Sequence, residues 1–529
     1  MTRWGMLADL ERCVGCQTCT AACRHSNATS PAVQWRKVID VEAGAFPHVS
    51  RPFVPVGCQH CADPPCMHVC PTTATRQRAD GIVTIDYSIC IGCAYCEVAC
   101  PYQARFLVDE PHYAYGKAMQ NEIERADDER VGVAQKCTFC SDRIDFGLAN
   151  GLTPGLDPRA TPACVNACIA DALHFGDFDD ADSNVSRLLR EHKSFTMHAE
   201  LGTEPGFHYL YGPANGGDDG STDAIAVGGG HLRARGAEPE LQRHWNWKAA
   251  GNFICGGMGA SLLLASLATG MAGLKGTAPL GAAALAMIAL GLAVLLMKIG
   301  RPLRFMHVLR QPRRSWMARE AWIAAALFPV AGAALWLGAP VLMLVGAVLA
   351  LAFLVSQSMI LQAAKGIPAW RQPWIVPLIV ITGLAEGAGL FLAITVFRPS
   401  LAPAVTATAA GVAVLAAVRG LLWRAYLAAL ESEGAPERAL AVLKGCTAWL
   451  LFGGTVLPIA LILAGALFEP AAAAFDAAAG FCVVAAGVTL KFVLVTRAGF
   501  NQGFALMHTP VRGSGTPGLG VKPGWTLGK

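Results

Sequence analysis

The sequence predicts an α+β domain followed by an all-α transmembrane bundle of eight helices, and three observations carry that expectation. Sixteen of the 19 cysteines fall between residues 13 and 168. From about residue 248 to 498 the chain runs in long stretches of Ala, Leu, Val and Gly. The whole is 53% hydrophobic and only 15% charged, with a positive mean hydropathy, a balance soluble domains do not usually show. A length of 529 residues allows two or three domains. The net charge of +4 is too small to indicate a nucleic-acid partner.

The cysteines form four quartets: Cys13, Cys16, Cys19, Cys23; Cys58, Cys61, Cys66, Cys70; Cys90, Cys93, Cys96, Cys100; and Cys137, Cys140, Cys164, Cys168. The third, closed by Pro101, is the bacterial ferredoxin run C-x2-C-x2-C-x3-C-P, and the first two are close variants. The fourth carries a 23-residue insertion between its second and third cysteines. Three cysteines in a tight loop supply three thiolates to one cluster. The fourth, where the chain turns into a short helix, points to the other cluster of a two-cluster unit. Quartets must therefore work in pairs. If the second and third pair, one cluster takes Cys58, Cys61, Cys66 and Cys100 and the other takes Cys90, Cys93, Cys96 and Cys70. If the first and fourth pair, Cys13, Cys16, Cys19 and Cys168 hold one cluster and Cys137, Cys140, Cys164 and Cys23 another. The expected result is a four-cluster ferredoxin-like domain of two pseudo-symmetric two-cluster units, over residues 1–205. Structural zinc is the alternative, but it favours two separated C-x2-C pairs over four-cysteine runs closed by Pro. No basic region followed by an apolar stretch opens the chain, so no export signal is expected, and reduced thiols suit metal ligation better than disulfides.

Residues 206–244, with Gly216-Gly217-Asp218-Asp219-Gly220 and Gly228-Gly229-Gly230, read either as a flexible linker or as a loop packed on the first domain. Eight apolar segments of spanning length follow, near 249–272, 277–297, 321–338, 340–362, 374–397, 401–422, 445–468 and 473–496. They define a membrane anchor over residues 245–500, leaving 501–529 as a cytoplasmic tail. An even number of spans puts both chain ends on one side. On that side lie Arg243, Lys248, the basic second loop from Lys298 to Arg319, Arg419, Arg424, Arg438, Lys444 and Arg497; the other side has only Lys275 and Arg398. By the bias of Lys and Arg toward the cytoplasm, the cysteine domain faces the cytoplasm from an inner (cytoplasmic) membrane.

Histidine is nearly absent from the spans, His307 and His508 lying outside them, so no pair of axial ligands is available and no haem is expected. A diffusible quinone in the bilayer is the natural electron partner, and its chemistry needs proton-exchanging groups. Lys298, Arg301 and Glu320 at the ends of the second and third spans are candidates, together with Glu386 in the middle of the fifth. The arginines also serve as lipid-headgroup contacts, Glu320 as a helix cap and Glu386 as an interhelical hydrogen-bond donor or acceptor, so both readings stand. Cys255, Cys446 and Cys482 read as small packing residues.

With these features in place the chain resembles a fusion of two subunits of the dimethyl-sulfoxide-reductase-type molybdoenzymes, their four-cluster iron–sulfur subunit and their eight-helix quinone-binding anchor. Cys13-Val14-Gly15-Cys16, Cys61-Ala62-Asp63-Pro64-Pro65-Cys66 and Lys136-Cys137-Thr138-Phe139-Cys140 carry the first likeness. The segment from Lys298-Ile299-Gly300-Arg301-Pro302 to Arg319-Glu320 carries the second. The resemblance implies the quartet pairing above, four [4Fe–4S] clusters, and a linear wire from the Cys13 cluster, nearest a catalytic partner, to the Cys90 and Cys70 cluster, nearest quinone. It implies molybdopterin on the partner subunit only, so this chain is an enzyme subunit without the centre of substrate chemistry. A histidine that often helps bind quinol in the family is replaced here by Lys298, whereas the glutamate corresponding to Glu320 is kept. Among branches facing the cytoplasm the chain is most similar to membrane-bound sulfite dehydrogenases. A phenylacetyl-CoA:quinone oxidoreductase and the sulfoxide- or polysulfide-type reductases are the alternatives. A redox-driven ion-translocating protein would need several buried acids and bases, and the sequence shows Glu386 at mid-span with Asp476 near the far end. A ferredoxin module merely tethered to the bilayer would need no quinone site.

Overall fold

A computed structural model describes residues 2–31, 33–45, 48–125, 127–214, 225–227, 234–395, 397–510 and 520–526. The chain divides into two compact units, Met1–Glu240 with Asn501–Leu527, and Leu241–Phe500 with the last two residues.

The first unit is organised by the strand Trp4–Asp9. All six of its residues are buried, because it is covered on both faces and so reads as a continuous apolar run without alternation. It pairs antiparallel with Leu173–Asp177 on one side and parallel with Phe207–Pro213 on the other, and His192–Phe195 completes a four-stranded sheet. Short ribbons surround it: Arg36–Asp40 with Phe53–Gly57, Thr75–Gln77 with Val83–Ile85, and Phe106–Leu107 with Ala134–Gln135. The core mixes Met6, Trp35, Val54, Phe139, Phe175 and Phe207 with the cysteines themselves.

Two boundaries expected from composition shift. Phe207–Pro213 is a strand of the sheet, because Leu210 and Tyr209 bury against it, so a linker cannot begin at 206. The glycine-rich stretches at 216–220 and 228–230 lie outside the described residues. The segment expected as a separate tail from 501 is part of the first unit: Phe504, Leu506 and Val521 join its core, and Gly520–Lys522 pairs with Ile225–Val227. Residues 511–519 and 527–529 of that tail lie outside the described residues.

In the second unit, eight helices among the described residues are long and apolar enough to cross a membrane. They are the first, Trp247–Met271; second, Ala278–Leu296; third, Trp316–Leu337; fourth, Pro340–Gln362; fifth, Ile375–Thr395; sixth, Val405–Glu433; seventh, Glu437–Leu467; and eighth, Ala472–Thr496. The sixth and seventh are longer than their apolar cores suggest, because Gly434-Ala435-Pro436 is the only break between them and the flanking polar residues stay helical. The seventh contains a π-helical stretch, Trp449–Val456. The first and fifth helices are innermost. Leu290, Trp336, Val341, Val414, Leu421, Phe452 and Phe481 face outward, an apolar exterior suited to lipid. Small residues let helices approach: a Cβ on Gly480 of the eighth would fall 2.3 Å from the Gly389 carbonyl oxygen of the fifth.

Candidate metal centres and buried charge

Each quartet starts in a loop and ends on a short helix. Cys13 and Cys16 follow the central strand, and Cys19 and Cys23 lie on Thr18–Asn27. Cys66 is on Pro65–His68 with Cys70 just beyond, Cys96 is on Tyr95–Ala99 with Cys100 capping it, and Cys164 is on Ala163–Asn166 with Cys168 after it. The loops turn through left-handed residues: Gly15, Gln17, His60, Gly92, Ala94, Phe139 and Cys140 all have positive φ. Gly15 is also required sterically, since a Cβ there would meet the Phe53 ring at 2.5 Å.

The structure gathers the cysteines crosswise. Cys13, Cys16 and Cys19 share a small cavity with Cys168. Cys58, Cys61 and Cys66 share one with Cys100, and Cys90, Cys93 and Cys96 share one with Cys70. Around Cys23, burial and then the neighbouring Cys137, Cys164 and Cys140 push the thiol well above its ordinary range. Asn27 Nδ2 stands 3.7 Å from Cys23 Sγ and 3.8 Å from Cys140 Sγ. Backbone N–H groups point at thiols, from Thr75 to Cys70 at 3.5 Å, Phe139 to Cys137 at 3.4 Å and Ala172 to Cys168 at 3.2 Å.

Three fully buried cations lie among these groups; none was assigned a role from the sequence, although Lys136 stands in the motif that opens the fourth quartet. Arg36 interacts with Cys164, Cys137, Cys19 and Cys23, between the group of Cys13 and Cys168 and the group of Cys23 and Cys137. Lys136 interacts with Cys58, Cys137 and Cys66, between the group of Cys23 and Cys137 and the group of Cys58 and Cys100. Arg105 interacts with Cys66, Cys96, Cys58 and Cys100, at the last junction, and its Nη2 lies 2.9 Å from Cys66 Sγ. Cations buried this deeply need an anionic counterpart. Arg36 sits 4.9 Å above the Phe207 ring, and its Nε and Nη1 find no hydrogen-bond acceptor among the described residues. His60, stacked at 3.7 Å on Phe139, is held neutral by burial first and then by Lys136, Arg36 and Arg105.

The donor set fits iron–sulfur cubes better than single ions. Among the described residues no three His, Cys, Asp or Glu side chains converge closely enough to hold one metal ion. Four thiolates around a zinc, each about 2.3 Å from it, would converge that closely, whereas thiolates around a cube stand farther apart. The orphaned donors of Arg36 suit a sulfide-rich anion.

In the membrane unit, Glu320 is 2% exposed on the third helix, and Asn252 Nδ2 of the first helix reaches its Oε1 at 3.5 Å. Gln357 of the fourth helix also contacts this carboxylate. Lys298 lies with its Nζ 4.9 Å from the Trp245 ring, and Arg301 precedes the 3-10 turn Pro302–Arg310. Glu386 is fully buried and accepts from Lys491 Nζ at 2.5 Å. Lys491 and Arg419 correct the sequence reading. Lys491 passed unnoticed inside an apolar run, and Arg419, expected at a cytoplasmic helix end, is 2% exposed in the middle of the sixth helix. An ionisable residue within a spanning segment was the available signal for both.

A family model, the 4Fe-4S dicluster domain, matches residues 49–120, which hold the second and third quartets. The chain is 39% identical over 231 residues to a Halobacterium salinarum protein assigned by name to the iron–sulfur B subunits of dimethyl sulfoxide reductase, covering 41% of this chain and 82% of that one. It is 39% identical over 227 residues to the B subunit of selenate reductase from Mesobacillus selenatarsenatis, covering 39% and 72%. It is 36% identical over 227 residues to the B subunit of sulfite dehydrogenase from Allochromatium vinosum, covering 40% and 83%.

Proposed function

Because the chain belongs to the iron–sulfur electron-transfer subunits of the dimethyl-sulfoxide-reductase family, we propose that it wires a molybdopterin catalytic subunit to the quinone pool through four [4Fe–4S] clusters. The crosswise gathering of sixteen cysteines into four groups, with a cation at each junction, carries this reading. The clusters supply one-electron steps when bound. The chain's thiols hold them, and Arg36, Lys136 and Arg105 offset their negative charge. Cys13, Cys16, Cys19 and Cys168 hold the end facing the catalytic partner. Cys70, Cys90, Cys93 and Cys96 hold the end facing quinone. Glu320, with Lys298 and Arg301, takes or returns the protons that quinone chemistry requires.

Purified chain should contain about sixteen iron atoms, and eight or fewer in a fully loaded sample would defeat the four-cluster assignment. A quinol-analogue inhibitor should perturb the paramagnetic signal of the cluster held by Cys70, Cys90, Cys93 and Cys96. A signal indifferent to every such inhibitor would leave only a tethered ferredoxin. The basic loops support a cytoplasm-facing iron–sulfur unit, so a reporter fused after Lys529 should be active only in the cytoplasm. We take sulfite as the partner's substrate, on the resemblance to sulfite dehydrogenases. Assaying the purified complex with sulfite, selenate, tetrathionate and phenylacetyl-CoA decides the matter, and turnover with any of the others but not sulfite would overturn it.

A further inference from the structure

The membrane unit buries more charge than an anchor needs. Lys491 Nζ donates to Glu386 Oε2 at 2.5 Å with both side chains fully buried, yet Glu386 Oε1 has no hydrogen-bond partner among the described residues. Arg419 acts on the same carboxylate and donates to the carbonyls of Val483, at 3.0 Å, and Gly454. Gly454 belongs to the π-helical stretch of the seventh helix, a distortion of the kind that recurs at functional sites. Glycines make the room for these charges. A Cβ would fall 2.3 Å from Glu386 Oε1 if added at Gly487, 2.5 Å from Lys491 Nζ at Gly257, and 2.8 Å from Arg419 Nη2 at Gly454. An ion pair serving only to join helices would have no use for an open carboxylate oxygen in a water-poor interior.

A polar trail leads away from this centre. Gln357 Oε1 borders the same Gly257, 3.5 Å from the position a Cβ would take. Gln357 Nε2 donates to the Asn252 carbonyl at 3.1 Å, and Asn252 Nδ2 reaches Glu320. The side-chain oxygens of Gln357 and Asn252, like Glu386 Oε1, have no partner among the described residues. These are the acceptors that ordered water would use.

We propose that Glu386, paired with Lys491, is a proton-loading site in the middle of the membrane unit, filled from Glu320 through water held by Asn252 and Gln357. The proposal rests on the quinone reading above. With sulfite as the donor, the clusters pass two electrons to quinone, which takes up two protons to become quinol; the test below drives the reverse, in which quinol gives two electrons to the clusters and releases two protons. In that reverse step one proton passes by way of Glu320 to the Glu386 carboxylate, which becomes the neutral acid while Lys491 keeps its own, and the second proton leaves to water. In sulfite-driven turnover Glu386 returns its proton through Glu320 to the quinone and water supplies the other. Charge thereby moves into the depth of the bilayer, as a redox-driven ion translocator requires.

The test uses the full chain with its clusters in phospholipid vesicles and records infrared difference spectra between quinol-reduced and oxidised states. A carboxylic-acid C=O band that shifts in D2O is expected. It should be lost in Glu386→Gln, and its appearance should slow at least tenfold in Glu320→Gln. In Lys491→Met the acid should stay protonated in both states, so the difference band vanishes. If Glu386→Gln does not fold, the double variant with Lys491→Met, which removes both charges, is read in its place. A band unchanged in these variants, or no band at all, while quinol still reduces the clusters overturns the proposal and leaves the electron-transfer reading intact. Clusters indifferent to quinol in the unaltered chain overturn both.

Discussion

In the iron–sulfur unit, three buried cations are distributed one to each junction between groups of thiols, whereas in the membrane unit two buried cations, Lys491 and Arg419, share a single carboxylate, Glu386. In the first unit, on the reading proposed above, thiolates and bound clusters supply the negative charge that Arg36, Lys136 and Arg105 offset. Around Glu386 in the second the cations exceed the anion, and the carboxylate keeps one oxygen open. The difference teaches what each burial is for. A buried cation beside a cluster makes an electron's arrival less costly, while a buried acid held between cations can exchange a proton with little rearrangement.

The largest test of this contrast is ligand removal. Cys100→Ser and Cys93→Ser each should cost about four iron atoms, but the lost spectroscopic signals should differ, because Cys100 lines the cavity of Cys58 and not that of its own quartet. Loss of the same signal in both would undo the crosswise arrangement. Next in size, Lys491→Met breaks the buried pair, so that Glu386 must take up a proton to stay buried, and should lower stability by roughly 3–5 kcal/mol, most of it recovered in the double variant with Glu386→Gln. Thermal unfolding in detergent measures both, and equal damage from the single and double variants would mean that packing matters more than charge. Gly487→Ala drives a methyl into Glu386 Oε1 and should cost about 1–3 kcal/mol in the same measurement, with unchanged iron content. Arg105→Gln should lower the potentials of the clusters at the quinone end by on the order of 50–100 mV, and Arg36→Gln those at the opposite end. Redox titration followed by paramagnetic resonance reads the shift, and potentials that do not move would deny these cations their electrostatic role. The smallest effect is expected for Arg51→Ala. Its bridge to Asp40 is more than half exposed on both sides, and neither iron content nor unfolding temperature should change measurably.

The cysteine quartets were legible because their spacing is local: thiols two or three residues apart lie on one loop whatever the rest of the fold does. The eight spans were legible for the same reason, each being a continuous apolar run. The buried cations were not. Arg36 sits on an ordinary strand and Lys136 and Arg105 in loops, and only the approach of stretches far apart in sequence surrounds them with thiols. The strand Phe207–Pro213 was hidden by the glycine-rich composition that follows it, and its parallel pairing with Trp4–Asp9 spans two hundred residues of intervening chain.

By itself, then, the sequence determined the division into a cysteine-rich α+β unit and an apolar helical one, the cysteine quartets, and Glu320 and Glu386 as ionisable groups in or beside apolar helices. The tertiary structure decided which quartets exchange their fourth cysteines, that Arg36, Lys136 and Arg105 stand at the junctions, and that Lys491 pairs with Glu386 while Arg419 acts on it, from three different helices. The physical reason is one of range. Spacing and hydropathy act over a few turns of chain, while the pairing of buried charges is settled by which distant segments pack together, since a charge removed from water must find its partner wherever the fold brings one.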